Sequence, residues 1–175
     1  MAAITAEQAA QILPLELLAQ KAEHAVTKRV IEAIPLDKGD YRPDPLAKSA
    51  LELAWHIAAT EHRFLSAIAA GGFDFSPIPR PELVKNSADI ANWLDQSFAA
   101  NIQKLSTVTG EQAAKILDFR GMFQLPAVAF SRVSLSHTIH HRGQLSVYLR
   151  PMGGKVPAIY GESHDSAEAK KAAQA

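Results

Sequence analysis

The sequence predicts an all-α fold, a four-helix bundle. Three observations predict it. Alanine fills 31 of the 175 positions, and alanine is the strongest intrinsic helix former. Glycines and prolines gather mostly in four clusters, at Pro35–Pro45, Gly71–Pro81, Gly110–Pro126 and Pro151–Gly161. Between them lie four stretches almost free of helix breakers: Leu15–Ile34, Leu46–Ala70, Glu82–Thr109 and Ala127–Arg150. Each is long enough for a helix of roughly 30–40 Å, the length of a bundle element.

Taken in order, each element has a local signal. Pro14 suits the first turn of helix one, where its missing N–H is not needed. Thr5-Ala-Glu-Gln8 can cap a short helix before it. Ser49-Ala-Leu-Glu52 is a capping box and places Ser49 at the start of helix two, which Gly71-Gly72 ends. The third stretch closes at Thr109-Gly-Glu-Gln112, which can cap a short helix within a long connection that crosses one end of the bundle. Pro126 fits the first turn of the last helix. Ser166 to Ala175 carry no large apolar side chain and are expected to fray.

Composition bounds the function. Lys plus Arg and Asp plus Glu number 18 each, for a net charge of zero. Neither a nucleic-acid surface nor a polybasic membrane anchor is expected from that balance. Cysteine is absent, which excludes disulfide scaffolds, Cys-based metal sites and catalytic thiols. The N-terminus lacks the pattern of a signal peptide, and no apolar run reaches the roughly 18 residues of a membrane span. The expectation is a cytoplasmic protein.

Chemistry concentrates in the histidines. On the last helix His137 and His141 lie about 40° apart on one face, in a stripe with Phe130, Val133, Gln144 and Tyr148. This i, i+4 spacing lets two imidazoles reach one ion; two hydrogen-bonded core histidines would satisfy it equally. His56 lies on the shoulder of the buried stripe of helix two (Leu46, Ala50, Leu53, Ile57, Phe64, Ile68), where a facing helix could meet it. Three neutral imidazoles leave a coordination position open, as catalytic sites do. Glu61 falls within the apolar stripe, about 140° from His56, so the two are not expected to share a metal. It is either a buried acid with a partner or the edge of the stripe. His140 reads as a rim residue, and His24 and His62 as exposed. Thr138 stands where a zincin has its glutamate, so that protease mechanism is not supported. A second apolar row on the last helix, Val128, Leu135, Ile139 and Leu149, needs cover. A second copy of the chain is the simplest cover, hence an expected homodimer.

The segment His137-Thr-Ile-His-His-Arg-Gly-Gln-Leu-Ser-Val-Tyr-Leu-Arg150 resembles the signature helix of the DinB/YfiT-like family of metal-binding four-helix bundles. Gly153 to Gly161 resembles the segment that follows it, Leu53 to Glu61 the helix of the first histidine, and Ile34 to Pro43 the first interhelical turn. The resemblance covers roughly Leu15 to Gly161; one domain is expected over residues 1–161, with the polar residues 162–175 a flexible tail. The resemblance implies long crossover connections, a homodimer, and a divalent ion, zinc or nickel, held by His56, His137 and His141. Gln144 and Tyr148 are candidates to support those ligands, and Gly143 could permit a close helix approach. Some relatives are thiol transferases or isomerases, so the activity implied is thiol S-transfer to a small-molecule electrophile. A metal-dependent hydrolase is the second reading, weakened by the lack of an acid on the metal face. A non-catalytic metal-binding protein is the third.

Overall fold

A computed structural model of the chain describes residues 4–174. The helices are α1 (Ala6–Glu32), α2 (Ala50–Ala70), α3 (Ser87–Leu105), α4 (Gly110–Ala114), α5 (Ala129–Leu149) and α6 (His164–Ala172). Strands β1 (Ile116–Phe119) and β2 (Phe123–Pro126) form an antiparallel hairpin with Phe119 opposite Phe123. No helix among the described residues is long and apolar enough to cross a membrane.

Most helix starts are encoded locally. Capping boxes at Thr5, Ser49, Asn86, Thr109 and Ser163 open α1, α2, α3, α4 and α6, each satisfying two backbone N–H groups that the helix leaves free. α5 has no side-chain cap. The backbone N–H groups just before it bond instead to α4's end, Ala127 to the Lys115 carbonyl and Val128 to that of Ala113. Gly71 ends α2 with φ 70°, a left-handed conformation that glycine adopts without penalty.

α2 packs against α3 and α5, and α1 packs against the same two helices. α1 and α2 therefore face each other across a diagonal, as do α3 and α5. Helices placed diagonally cannot be joined by a tight turn, so the connections 33–49 and 106–128 are long. The second carries α4 and the hairpin.

Several expectations are corrected. α1 does not start at Pro14 but runs through it from Ala6. An interior proline costs about 3 kcal/mol. Continuity is enforced because Ala9 and Leu13 are buried with Ala113 and Val128 in one apolar cluster. A Cβ on Gly110 would lie 2.2 Å from the Ala6 carbonyl, so α4 is pressed onto α1's first turn. Pro126 ends β2 rather than opening α5. Leu46 precedes α2 and is exposed. The polar tail forms α6 instead of fraying. None of that helix is buried, but the Asp165 carboxylate accepts from the Val156 N–H at 2.9 Å and from Arg150 Nε at 3.0 Å, which ties it to the end of α5. Ala175 lies outside the described residues.

The expected dimer face is also corrected. Val128, Leu135 and Leu149 are buried within the chain, and only Ile139 keeps exposed surface. α5 is not peripheral: α1 lies on the row that seemed to need a second copy, with Leu149 in one cluster with Val30 and Ile34. Gly143 is exposed and a Cβ there would meet nothing, so no close helix approach depends on it.

The core has two apolar halves. One gathers Ile31, Leu53, Ile57, Leu94 and Leu145; the other is aromatic, with Phe64, Phe98 and Phe130. A buried polar stripe runs along the α1–α5 seam, with Gln20, His24 and Thr27 of α1 and Ser131, Ser134, Thr138 and Arg142 of α5, and Glu61 of α2 joins it through His24.

Candidate metal centre

The seam between α2 and α5 brings together the three histidines singled out in the sequence. Leu53, Ala54, Ile57 and Ala58 bury the inner face of α2, which leaves His56 half-buried at its shoulder. On α5, Ser134, Thr138 and Arg142 point into the bundle, which turns His137 and His141 toward α2. His56 Nε2 lies 3.0 Å from His137 Nε2 and 3.3 Å from His141 Nε2. The ligand atoms of all three lie within 4.8 Å of one another, and no other such cluster of His, Asp and Glu occurs among the described residues.

The donor set fits a metal ion. With metal–nitrogen bonds of about 2.0–2.1 Å, a tetrahedral ion holds two imidazole nitrogens roughly 3.3–3.4 Å apart. The spacings observed are 3.0 and 3.3 Å. His141 Nδ1 donates to Gln144 Oε1 at 3.0 Å. That contact puts the proton on Nδ1 and leaves the Nε2 lone pair facing the other two rings, the usual supporting arrangement for a ligating histidine.

The surroundings keep two of the imidazoles, those of His56 and His137, neutral. Burial, then the charges of His141 and Lys48, push His56 down to about 4. Burial, then His141, His56 and His140, push His137 down to about 3. A neutral imidazole has a lone pair to give, so both are ready ligands at neutral pH. Phe64, 6.4 Å from the His137 ring, begins an aromatic wall that continues through Phe73, Phe119 and Phe130.

Other sequence candidates fall elsewhere. Tyr148 is buried beside Tyr41, its hydroxyl without a partner, and no hydrogen bond joins it to the histidines. His140 is exposed at the rim, its ring 4.8 Å from that of His141. Glu61 is a buried acid with a partner: His24 Nδ1 meets its carboxylate at 3.1 Å. His24 is thus buried, contrary to its expected exposure. It stacks on Phe98 at 3.8 Å and meets Asp95 through Nε2 at 2.9 Å. His62, also expected exposed, is half-buried and bonded to Asn101 and Ser66.

One buried group belongs to the signature helix, but its burial and partners were not foreseen from the sequence. Arg142, 1% exposed, donates to Glu23 at 2.6 Å and to the Tyr160 hydroxyl at 2.6 Å, and Tyr160 donates to the same Glu23 carboxylate at 2.9 Å. It sits directly after His141 and clamps α5 to α1 and to the segment beyond α5.

Residues 15–172 match the sequence profile of the DinB family. The chain belongs to that family. The uncharacterized protein YjoA of Bacillus subtilis is 29% identical over 130 residues, 73% of this chain and 82% of that one. A crystal structure of YjoA, described as DinB-like, superposes with a TM-score of 0.67 at 26% identity, covering 87% of this chain and 98% of that chain. A DinB-like protein from Bacillus cereus superposes with a TM-score of 0.68 at 24% identity, covering 83% and 95%, and shares the fold. The DinB family thus accounts for the bundle, including α6, which the profile spans.

Proposed function

We propose that the chain is a metal-dependent enzyme that joins a low-molecular-weight thiol to a small-molecule electrophile, with zinc or nickel held by His56, His137 and His141. The observation that carries the reading is the convergence of three imidazole nitrogens at 3.0 and 3.3 Å, with no carboxylate among them. An ion bound there would act as a Lewis acid, lowering the pKa of a thiol so that it reacts as thiolate at neutral pH. The residues do the rest. Burial keeps His56 and His137 unprotonated, Gln144 holds the His141 tautomer, and the aromatic wall excludes water from one side. The thiol's proton leaves to solvent, and a carbon–sulfur bond forms as the electrophile's leaving group departs with its electron pair. With no cysteine in the chain, the sulfur must arrive with the substrate.

No carboxylate joins the three histidines, and Glu52, one turn before His56, is engaged by Arg42 and the Ser49 N–H; this supports thiol transfer over hydrolysis, which needs a free general base beside the nucleophile. The net charge of zero gives no support to nucleic acid as substrate, and a cytoplasmic setting suits a small-thiol enzyme.

The test uses cobalt-substituted protein. Addition of a small thiol should produce a thiolate-to-cobalt charge-transfer band, and His137→Ala should abolish both metal uptake and thiol conjugation to a chlorodinitroaryl electrophile. Equal turnover by metal-free protein would refute the reading.

A further inference from the structure

A cavity of about 370 Å³ opens at the start of α2, lined by Lys48, Glu52, Trp55 and Arg80 and not by the histidines themselves. Glu52 is one helical turn before His56 on the same face of α2, and Trp55 is its immediate neighbour.

Neither Lys48 nor Arg80 has a carboxylate partner among the described residues, as the ion pairs of the chain fall elsewhere. The only acid of the lining is already engaged. The Glu52 carboxylate takes Arg42 at 2.9 Å and the Ser49 N–H at 2.8 Å. Unpaired cations are common on protein surfaces. These two are distinguished by sharing one concavity on the stretch of α2 that leads to His56.

The cavity is held open by structure. Trp55 Nε1 donates to the Ile78 carbonyl at 3.1 Å, and its ring packs on Trp93 at 4.6 Å. This fastens the 73–86 connection, which carries Arg80, over the start of α2. Arg63 fastens the same connection through the carbonyls of Asp74 and Ser76. One cation comes from each wall, with an indole between them.

We infer that this cavity binds the anionic group, a carboxylate or phosphate, of the small molecule that reacts at the three histidines. The inference rests on the reading of those histidines as the reaction centre. Glu52 and Lys48 lie four and eight residues before His56, so an anion held at that end of α2 and the reacting atom would lie roughly 6–12 Å apart. A substrate of that length, charged at one end, fits both sites.

Trp55 reports occupancy directly. In a Trp93→Phe background it is the only tryptophan left, and its fluorescence can be followed in metal-free protein against succinate, inorganic phosphate and uncharged ethylene glycol. A saturable response to at least one anion and none to the glycol is expected. Lys48→Gln with Arg80→Gln should weaken that anion about tenfold, equivalent to 1.4 kcal/mol, while Lys48→Arg should retain it. Both side chains are exposed, and unchanged circular dichroism would show the double variant folded. No saturable response to either anion, or equal affinity in the double variant, would overturn the inference. The cobalt–thiol band, recorded separately in the same variants, reports on the histidine centre alone, so failure of one site is distinguishable from failure of the other.

Discussion

Arg142→Met should be one of the most destabilising single changes away from the histidines. The side chain is 1% accessible and its partner Glu23 19%. Truncation leaves the Glu23 carboxylate with only the Tyr160 hydroxyl, and it leaves Thr27 and Tyr160 without their donor. Breaking a buried pair from one side costs 3–5 kcal/mol; Glu23 retains some water contact, so the low end, about 3 kcal/mol, is expected. For a chain of this size that lowers Tm by roughly 6–12 °C. The assay is urea unfolding of Arg142→Met, Glu23→Leu and the double variant. The double variant should recover most of the loss, because replacing both partners with apolar groups is often neutral. A single-variant loss below about 1 kcal/mol, or losses that simply add, would refute the claim that the two residues act as a buried pair.

Four further outcomes follow from the same physics. With His56 depressed to about 4 and His137 to about 3, metal-free protein should lose stability as pH falls from 6.5 through those values, because the unfolded chain takes up protons first; urea midpoints against pH read this. His24 has the opposite sign. Burial lowers its pKa, but hydrogen bonds and charge from Glu61 and Asp95 outweigh it and raise it. Its contribution is full below pH 6.5 and lost as pH rises through the folded value, and His24→Gln should remove that alkaline decline. Pro14→Ala restores an N–H to the interior of α1 and should stabilise by about 1–2 kcal/mol after the unfolded-chain entropy is counted; calorimetry would show it, and a lower Tm would mean that α1 needs the proline. Gly143→Ala should add about 1 kcal/mol, the intrinsic helix preference at an open exposed site; a stabilised variant with reduced metal uptake would assign the glycine to the site rather than to packing.

What was legible in the sequence was local. The boxes at Thr5, Ser49 and Thr109 and the cap at Gly71 depend on neighbours within a few residues, and all four form. The spacing of His137 and His141 is likewise a property of one helix, and the shoulder position of His56 follows from its own stripe. The rest depends on what each helix meets. The Val128–Leu149 row looked like an outer face because nothing within α5 shows that α1 lies over it. His24 looked exposed because its partners, Glu61 and Asp95, are on two other helices. The hairpin was missed because its strands are four residues each. Their turn places Arg120 and Gly121 at positive φ, and only the glycine signals that from sequence.

The polar stripe along the α1–α5 seam has a consequence for the histidines. Apolar helices can slide along one another at little cost, since one leucine fills another's place. Arg142 cannot slide: one turn, about 5.4 Å, would take its guanidinium away from Glu23 and Tyr160 and leave a buried charge without its partner. Gln20, which donates to the Ser131 carbonyl and hydroxyl at 2.9 and 3.0 Å, fixes the same setting from the other end. The stripe therefore works as a vernier, indexing α5 against its neighbours to a fraction of a turn. Shifted by one notch, α5 would offer His56 a single histidine where it now meets two.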